Sequence, residues 1–450
     1  MSLLLPDPQP TPSSTPVPTG AHRTGSPWPR SARTVGGDVR VAGVALADVA
    51  ATFGTPVHVL DETEVRARAR TYREHFGADG VFYAAKAFTC RALVRWLADE
   101  GLGMDVCSAG ELRTALDGGL PAHRTLLHGV AKSPADLRAA MEAGVGRIVL
   151  DSPDDADLVA SLLPAGARQQ VLLRLVPGIS AGAHPKVRTA TPDQQFGTAT
   201  ADVDGFVDRV LAHRSLELVG LHCHLGSQIT EIAPYQEAAL VMAGVLARVR
   251  NRHGLVLREL DLGGGHGIAH RPGEPGLDVA DLARCLRREL RDACDAHGLR
   301  VPHLSVEPGR AVVGPAGVVV YRVAVLKRTP HRTFVVVDGG MSDNPRPALY
   351  GAQYAPRLVG RVAAGAQQTV TVVGRHCETG DVLAADVPLP VDVRPGDLIA
   401  FPAAGAYHVS MASNYNAVPR PPVVAVRGGE ARLLVRRETV EDLGRRDVGR

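Results

Sequence analysis

A lysine and a run of glycines are the two features of this sequence that most directly suggest chemistry. Lys86 follows the apolar segment 81–85 (VFYAA), and Gly263-Gly264-Gly265 follows a second apolar segment. Burial at the end of a strand disfavours a charged amine, so we expect Lys86 to have a lowered pKa and to attack aldehydes. Three glycines let backbone N–H groups approach a phosphate without interference from Cβ atoms. An amine and a phosphate cradle together predict a site for pyridoxal phosphate (PLP).

Further polar residues fall where other apolar segments end. These are Cys107-Ser108, the segment 222–228 (HCHLGSQ) and the segment 307–310 (EPGR). In a parallel barrel all strand ends meet at one rim, where active sites lie, and scattered structural residues would not all fall there. A carboxylate such as Glu307 can keep a pyridine nitrogen protonated. His222 and His224 alternate along a strand, so we expect only one to face the interior, and we predict no metal site.

The elements that must position these residues alternate between strands and helices. Eight strand–helix units over about 250 residues predict a (β/α)8 TIM-type barrel, with an open doubly wound sheet as the alternative. The predicted strands are 81–85, 104–107, 125–128, 147–150, 171–176, 218–224, 259–262 and 303–306, and the predicted helices are 62–75, 91–100, 109–116, 134–143, 234–252 and 279–297.

A second domain, rich in β-strands, is predicted after the barrel. Apolar segments at 317–326, 333–338, 368–374, 397–401 and 422–427 are separated by turns such as Arg394-Pro395-Gly396-Asp397, in which proline presets φ and glycine accepts a positive φ. We therefore divide the chain into a disordered Pro/Ser/Thr-rich tail at 1–35, N-terminal strands at 36–60 that join the β-domain, a PLP-binding barrel at 61–310 and a C-terminal all-β domain at 311–450.

Composition excludes several classes of function. Across 450 residues the net charge is +3 and aromatic residues make up 4%, which gives no basic or base-stacking surface for nucleic acid. No apolar run approaches the roughly 20 residues that span a bilayer, so no membrane association is expected. The six cysteines form no C-x-x-C pair, and free thiols are typical of a reducing compartment. We expect a cytoplasmic protein that acts on a small molecule.

Seven motifs occur in order along the chain. They are YAAKA (83–87), HCHLGSQI (222–229), DLGGG (261–265), EPGR (307–310), RPALY (346–350), CETGD (377–381) and GAY (405–407). From about residue 50 to the C-terminus, the chain resembles the fold-type III PLP-dependent decarboxylases, whose barrel is related to that of alanine racemase. Within that family it is most similar to the enzymes that act on diaminopimelate.

The resemblance implies how the cofactor is held. The implied roles are Lys86 as the amine that binds PLP, His224 stacked on its ring, Ser227 with Gly264 and Gly265 on its phosphate, Glu307 on its pyridinium nitrogen, and Arg310 and Tyr407 as further contacts, Tyr407 reaching in from the β-domain. The catalytic set would be Lys86, His224 and Cys377.

The resemblance also implies the substrate and the assembly. Arg310, Arg346 and Tyr350 would hold a distal carboxylate, and Glu378, with Tyr407 nearby, a distal ammonium group. A guanidinium fork suits a carboxylate, so these residues favour a substrate charged at both ends. The implied reaction converts meso-2,6-diaminopimelate to L-lysine and CO₂, the last step of lysine biosynthesis. Cys377 would come from the second subunit of a head-to-tail homodimer as the proton donor.

Three alternatives stay open on the sequence. Departures from the family pattern at Val130, Gln195, His266 and Thr379 leave room for a decarboxylase of another amino acid, such as ornithine, arginine, lysine or a substrate of specialised metabolism. An amino-acid racemase shares the two-domain plan but fits Glu307 and the Cys377-Glu378 segment poorly. A non-catalytic PLP-binding protein would be a shorter, single-domain chain.

Overall fold

The computed structural model describes residues 25–179 and 195–449. Most of the tail predicted at 1–35 lies outside the described residues. The end of that segment differs from the prediction, because Arg33–Val35 forms a strand that pairs with Asp38–Val41.

The elements alternate through the first two-thirds of the chain and become strand-rich afterwards. The strands are β1 Arg33–Val35, β2 Asp38–Val41, β3 Val44–Ala45, β4 Val57–Asp61, β5 Phe82–Ala84, β6 Gly103–Val106, β7 Thr125–Leu127, β8 Arg147–Leu150, β9 Gln169–Val176, β10 Thr198–Ala199, β11 Leu216–His222, β12 Glu259–Asp261, β13 His303–Ser305, β14 Gly317–Arg328, β15 Thr333–Val337, β16 Arg357–Val359, β17 Gln367–Val373, β18 Val382–Pro390, β19 Leu398–Pro402, β20 Val423–Arg427 and β21 Glu430–Val435. The helices are α1 Leu46–Phe53, α2 Glu62–Phe76, α3 Arg91–Asp99, α4 Ala109–Asp117, α5 Pro134–Ala143, α6 Pro153–Leu162, α7 Val203–Leu211, α8 Ala233–His253, α9 Val279–Ala296, α10 Arg310–Val313, α11 Arg346–Tyr350 and α12 Val440–Gly444.

Eight parallel strands form the barrel. The order is β5-β6-β7-β8-β9-β11-β12-β13, and each strand pairs with the next one in this series. The sheet closes because Val81 pairs in parallel with Val306, and the Phe82 N–H donates to the Val306 carbonyl at 3.0 Å. The helices between the strands cover an apolar core, as the β/α alternation requires. The predicted (β/α)8 barrel is confirmed.

The second domain is a nine-stranded sheet with the order β18-β17-β15-β14-β4-β20-β21. In addition, β19 pairs with β14, and β16 pairs with β19. Strand β4 precedes the barrel in sequence, yet it lies between β14 and β20. Strands β1 to β3 pair with one another in a separate small sheet, whose apolar side chains pack in one cluster with residues of β4, β14 and β20. The predicted all-β domain is confirmed as a fold.

Some elements escaped prediction for identifiable reasons. Strand β18 has a positive φ at Asp386 and prolines at 388 and 390, which interrupt the regular alternation of a strand. Helix α6 begins with polar residues, but Ser152 caps it by accepting from the Asp155 N–H, and Pro153 occupies its first turn. Among the described residues, no helix is both long and apolar enough to cross a bilayer.

Candidate active site

Lys86 lies just beyond the first barrel strand. Strand β5 ends at Ala84, and Lys86 occupies the single helical turn Ala85–Ala87. The β-domain fixes this turn, because the Ala87 carbonyl accepts from the Tyr407 N–H at 2.8 Å and from the Ser410 hydroxyl at 3.1 Å. The Lys86 side chain is solvent-accessible within a cavity at the barrel rim. Its amine can therefore meet an aldehyde.

The charge on Lys86 differs from the sequence-based expectation. Burial alone would lower the pKa of this amine, but Asp105, Tyr407, Cys107 and Glu307 outweigh it and raise the pKa above its usual value. The prediction of a lowered pKa is therefore wrong for the protein without cofactor. The sequence did not reveal how many acidic groups the barrel rim would bring around one amine.

Glu307 lies between two histidines at the bottom of the same cavity. Its Oε1 is 2.7 Å from His128 Nε2, and its Oε2 is 3.2 Å from His222 Nε2. Asp105 Oδ1 approaches His128 Nε2 from the other side at 3.8 Å. All four side chains are buried, so this cluster holds the Glu307 carboxylate in one place.

The charges within this cluster follow from its geometry. Burial opposes ionisation of Glu307, but His128 and then His222 outweigh it and hold the pKa of the carboxyl well below its usual range. Burial also opposes protonation of His128, but Asp105 and Glu307 raise its pKa, whereas burial lowers the pKa of His222 to about 4. The ligand atoms of His128, His222 and Glu307 lie within 4.8 Å, a spacing that a metal ion would accept. Sequence analysis predicts no metal here, and we assign the cluster to positioning Glu307.

His224 also reaches the cavity, so the expectation that only one of the two histidines faces inward is wrong. Strand β11 ends at His222, and the alternation of side chains no longer applies two residues later. His224 Nδ1 accepts from the Gly264 N–H at 3.2 Å. Burial and then Lys86 lower the pKa of His224 well below its usual value, which keeps the ring neutral.

The glycine loop packs so closely against neighbouring backbone carbonyls that no other residue would fit at Gly264 or Gly265. A Cβ at Gly264 would lie 2.1 Å from the Glu307 carbonyl, and one at Gly265, where φ is +86°, would lie 2.2 Å from the Gly226 carbonyl. Ser227 stands across the cavity, where its Oγ accepts from Arg310 Nη2 at 2.9 Å.

Arg310 supplies an unmatched donor in this cavity. Its Nη1 is buried and has no hydrogen-bond partner among residues 25–179 and 195–449, and its guanidinium lies 4.7 Å from the centre of the Tyr407 ring. Lys86, His224, Ser227, Glu307, Arg310 and Tyr407 all line the same cavity. An amine, a fixed carboxylate and a phosphate-sized cradle with a spare guanidinium N–H suit PLP.

Arg346 is held rigidly by its own neighbours. It opens α11, and Tyr350 follows four residues later on the same face of this short helix. Arg346 Nη1 donates to the Tyr354 hydroxyl at 2.6 Å and lies 3.1 Å from His270 Nε2. Burial and the nearby Arg346 lower the pKa of Arg310 to about 10, whereas Tyr350 acts on it in the opposite direction. Two cations thus lie close enough at this side of the cavity to favour an anion between them.

Cys377 and Glu378 lie elsewhere on the β-domain. Both side chains are exposed. The Cys377 N–H donates to Asn416 Oδ1 at 3.2 Å, and Glu378 Oε1 accepts from the Gly380 N–H at 3.2 Å. Within the described part of the chain, these two residues have no hydrogen bond or ion pair with the barrel. Of the predicted residues, those that line one cavity are Lys86, His224, Ser227, Gly265, Glu307, Arg310 and Tyr407, and Gly264 bonds to His224. Arg346 and Tyr350 lie on α11, near enough to act on the charge of Arg310. Cys377 and Glu378 are not among the described residues that line this cavity.

Sequence reasoning missed His128, Asp105, His270 and Tyr354. A usable signal existed for His128, which immediately follows β7 and so obeys the same strand-end rule as Lys86. Asp105 lies inside β6, where an acidic residue in an apolar strand is unusual enough to attract attention. His270 and Tyr354 carry no local pattern, because their importance arises only from contact with Arg346.

Known proteins resemble this chain along almost its whole length. The family described as pyridoxal-dependent decarboxylase, pyridoxal binding domain, matches residues 62–314. Diaminopimelate decarboxylase of Actinosynnema pretiosum subsp. auranticum is 54% identical over 94% of this chain and 95% of its own. The same-named protein of Mycobacterium tuberculosis H37Rv is 45% identical over 94% of this chain and 98% of its own.

A solved structure extends the similarity to three dimensions. Diaminopimelate decarboxylase from M. jannaschii, in complex with L-lysine, aligns with a TM-score of 0.88 at 29% identity, covering 94% of this chain and 98% of its own. The fold, the cavity suited to PLP and the identity to curated relatives agree, and this chain belongs to the diaminopimelate decarboxylase family of PLP-dependent enzymes.

Proposed function

We propose that this protein uses PLP to decarboxylate meso-2,6-diaminopimelate to L-lysine and CO₂. The observation that carries the proposal is the pair of arginines, Arg310 and Arg346, beside the cavity that contains Lys86. Two guanidinium groups there suit a substrate with a carboxylate at its distal end. Substrates whose distal end is only a cation, such as ornithine, would meet repulsion instead.

Residues of this chain would hold the cofactor and control its protonation. Lys86 would bind the aldehyde, and Glu307, kept ionised by His128 and His222, would pair with the pyridine nitrogen. Ser227, Gly264 and Gly265 would hold the phosphate, with Arg310 as a further contact to the cofactor, and neutral His224 would stack on the ring. When bound, PLP supplies an electron sink for the electron pair left by the departing CO₂.

The distal carboxylate would be held by Arg346 and Tyr350, with Arg310 bridging to the cofactor end. Arg346 loses little conformational freedom on binding, because Tyr354 and His270 already fix it. Removal of the Arg346 contact to the distal carboxylate should lower the affinity for the substrate by about 10- to 100-fold, as is typical for a charge-assisted hydrogen bond.

The remaining catalytic groups would come from a second subunit. Cys377 and Glu378 have exposed side chains, and their hydrogen bonds go to Asn416 and Gly380 of the same β-domain, so both side chains are available to enter another chain's cavity. In a two-fold dimer each chain would supply one loop and receive one, which completes two sites at a single interface. Cys377 then donates the proton that replaces CO₂, and Glu378 holds the distal ammonium. A cytoplasmic location is part of the same proposal, supported by six cysteines that are all free.

The test is release of CO₂ from four candidate substrates. Purified protein with PLP is assayed with diaminopimelate, ornithine, arginine and lysine. We expect turnover of diaminopimelate alone, and Arg346→Gln should raise KM for it far more than it lowers kcat. Turnover of ornithine without turnover of diaminopimelate would refute the proposal.

A further inference from the structure

His266 lies at the cofactor cavity and carries a polar atom that the site described above does not use. It directly follows the three glycines and lines the same cavity as Ser227, Gly265 and Arg310. Its side chain is 2% exposed. Its Nε2 is fully buried and has no hydrogen-bond partner within residues 25–179 and 195–449.

The proton on His266 can be assigned from its neighbour. Nδ1 lies 2.8 Å from the hydroxyl of Tyr72, a buried residue of α2. If the Tyr72 hydroxyl donates to Nδ1, the single proton of the neutral ring must be on Nε2. The reverse arrangement would leave both the Tyr72 hydrogen and the Nε2 lone pair without partners, which costs more. Burial lowers the pKa of His266 to about 3, so the ring stays neutral and offers one N–H.

A buried N–H without an acceptor is expensive, and native proteins rarely tolerate one. We propose that the Nε2–H of His266 donates a hydrogen bond to the phosphate of PLP, beside the contacts from Ser227, Gly265 and Arg310. This inference rests on the placement of the phosphate at Ser227 in the proposed function. Tyr72 acts as a positioning residue, because it fixes the tautomer in which Nε2 carries the hydrogen.

Two tyrosine rings packed against His266 fix the orientation of its imidazole. The ring lies parallel to Tyr72 with centroids 5.6 Å apart and edge-on to Tyr235 at 5.3 Å. The Tyr235 hydroxyl in turn donates to the Gly264 carbonyl at 2.9 Å. The histidine and the glycine loop are therefore held as one unit, so the donor and the loop would meet the phosphate together.

The experiment compares two ligands that differ only in the phosphate. Apoenzyme is prepared, and Kd is measured by absorbance titration for PLP and for pyridoxal, which lacks the phosphate. His266→Leu should weaken PLP binding by about 10- to 100-fold, the loss expected for a hydrogen bond to a charged group, and change pyridoxal binding less than about threefold. His266→Gln, which retains an N–H near the Nε2 position, should recover much of the PLP affinity. Tyr72→Phe should give a smaller loss that is again confined to PLP.

The two affinities distinguish a wrong role for His266 from a wrong placement of the phosphate. Equal losses for PLP and pyridoxal, or no loss for either, would overturn the role of His266. If the wild-type apoenzyme bound PLP no more tightly than pyridoxal, the phosphate placement itself would be wrong, and the inference would fail with it. Thermal unfolding of each apo variant checks that the fold is retained, and the Gln and Phe variants carry the test if His266→Leu does not fold.

Discussion

The barrel rim and the Cys377–Glu378 loop differ in how their polar side chains are placed, because those of the rim cluster around Glu307 are buried and those of the loop are exposed. At the rim, the Glu307 carboxylate is paired within the chain, between His128 and His222. The buried donors left without a partner among the described residues, Arg310 Nη1 and His266 Nε2, belong to residues that line the cofactor cavity. In the loop, the Cys377 and Glu378 side chains are exposed, and the hydrogen bonds of these residues go to neighbours in the β-domain such as Asn416, Thr379 and Gly380. In the proposed dimer, one chain would bind the cofactor, whereas catalysis would need the loop of a second chain.

The largest effect is expected for Lys86→Ala. Loss of the only amine in the cavity lining should lower kcat/KM by at least roughly 10⁴-fold, as for other covalent catalytic groups, and remove the visible absorbance of bound PLP. Replacement of the exposed Lys327 by Ala serves as the matched control and should leave both unchanged. Retained activity in Lys86→Ala would show that the rim does not hold the cofactor as proposed.

Subunit complementation tests the loop directly. Lys86→Ala and Cys377→Ala chains, each inactive alone, are mixed under conditions of proven subunit exchange, and CO₂ release is measured. Half of the randomly paired dimers are hybrids with one intact site of two, so about a quarter of wild-type activity should return. Absence of recovery would mean that each site is built within a single chain and that the contrast drawn above is false.

Glu307→Gln should lower the activity without preventing PLP from binding at the rim. An amide keeps the shape but loses the charge that pairs with His128 and would keep the pyridine nitrogen protonated. We expect kcat to fall by about 10²- to 10³-fold, the range for removal of one preorganised electrostatic group. The absorbance of bound PLP should persist, unlike in Lys86→Ala. A variant with full activity would remove Glu307 from the proposed mechanism.

The smallest effect is expected for an ion pair between Arg420 and Glu438, which belongs to neither region. Arg420 Nε donates to Glu438 Oε1 at 2.7 Å, and this bond lowers the pKa of Glu438 to about 2 from its usual 4.5. Because the folded value is the lower one, the stabilisation is complete above pH 4.5 and is lost as pH falls toward 2. Glu438→Gln should therefore lower the free energy of unfolding at pH 7 by at most about 1 kcal/mol.

The pH dependence provides the check on that pair. Thermal unfolding of wild-type and Glu438→Gln protein is compared between pH 7 and pH 3, and the difference in Tm should shrink as the pH falls. A difference that grew toward pH 3 would have the wrong sign. Activity should be unchanged, because glutamine keeps an oxygen for the Asn414 amide, the group that lies between Glu438 and the Asn416–Cys377 contact.

Most of the fold could be read from the sequence because apolar runs and helical patterns alternate regularly. The predicted strand at 147–150 and helix at 134–143 coincide with β8 and α5. Prediction was weaker where strands end. The predicted strand at 218–224 runs two residues past the observed end of β11 at His222, and this error led to the wrong expectation that His222 and His224 point to opposite faces. Ladder hydrogen bonds decide where a strand ends, and they depend on the neighbouring strand rather than on the local sequence.

Site residues could be predicted where they belong to a local motif. Properties that depend on contacts between residues distant in sequence could not be predicted. Lys86, the glycine loop and Glu307 follow strand ends, so one rule of barrel geometry brings them together. The raised pKa of Lys86 depends on Asp105, and the fixed position of Arg346 depends on His270 and Tyr354. Those relations join distant parts of the chain, and a single sequence gives no signal of them.

Strand β4 sets a constraint on how the molecule assembles during synthesis. It emerges before the whole barrel, yet its two partners are β14 and β20, with Leu60 opposite Gly317 and Val59 opposite Val424. Until those strands leave the ribosome, both edges of an apolar strand stay unpaired, which is a recognised hazard for aggregation. The barrel is in effect an insertion within the β-domain, so the β-domain is the last part of the chain that can close. Early termination beyond the barrel would leave this strand exposed rather than release a finished domain.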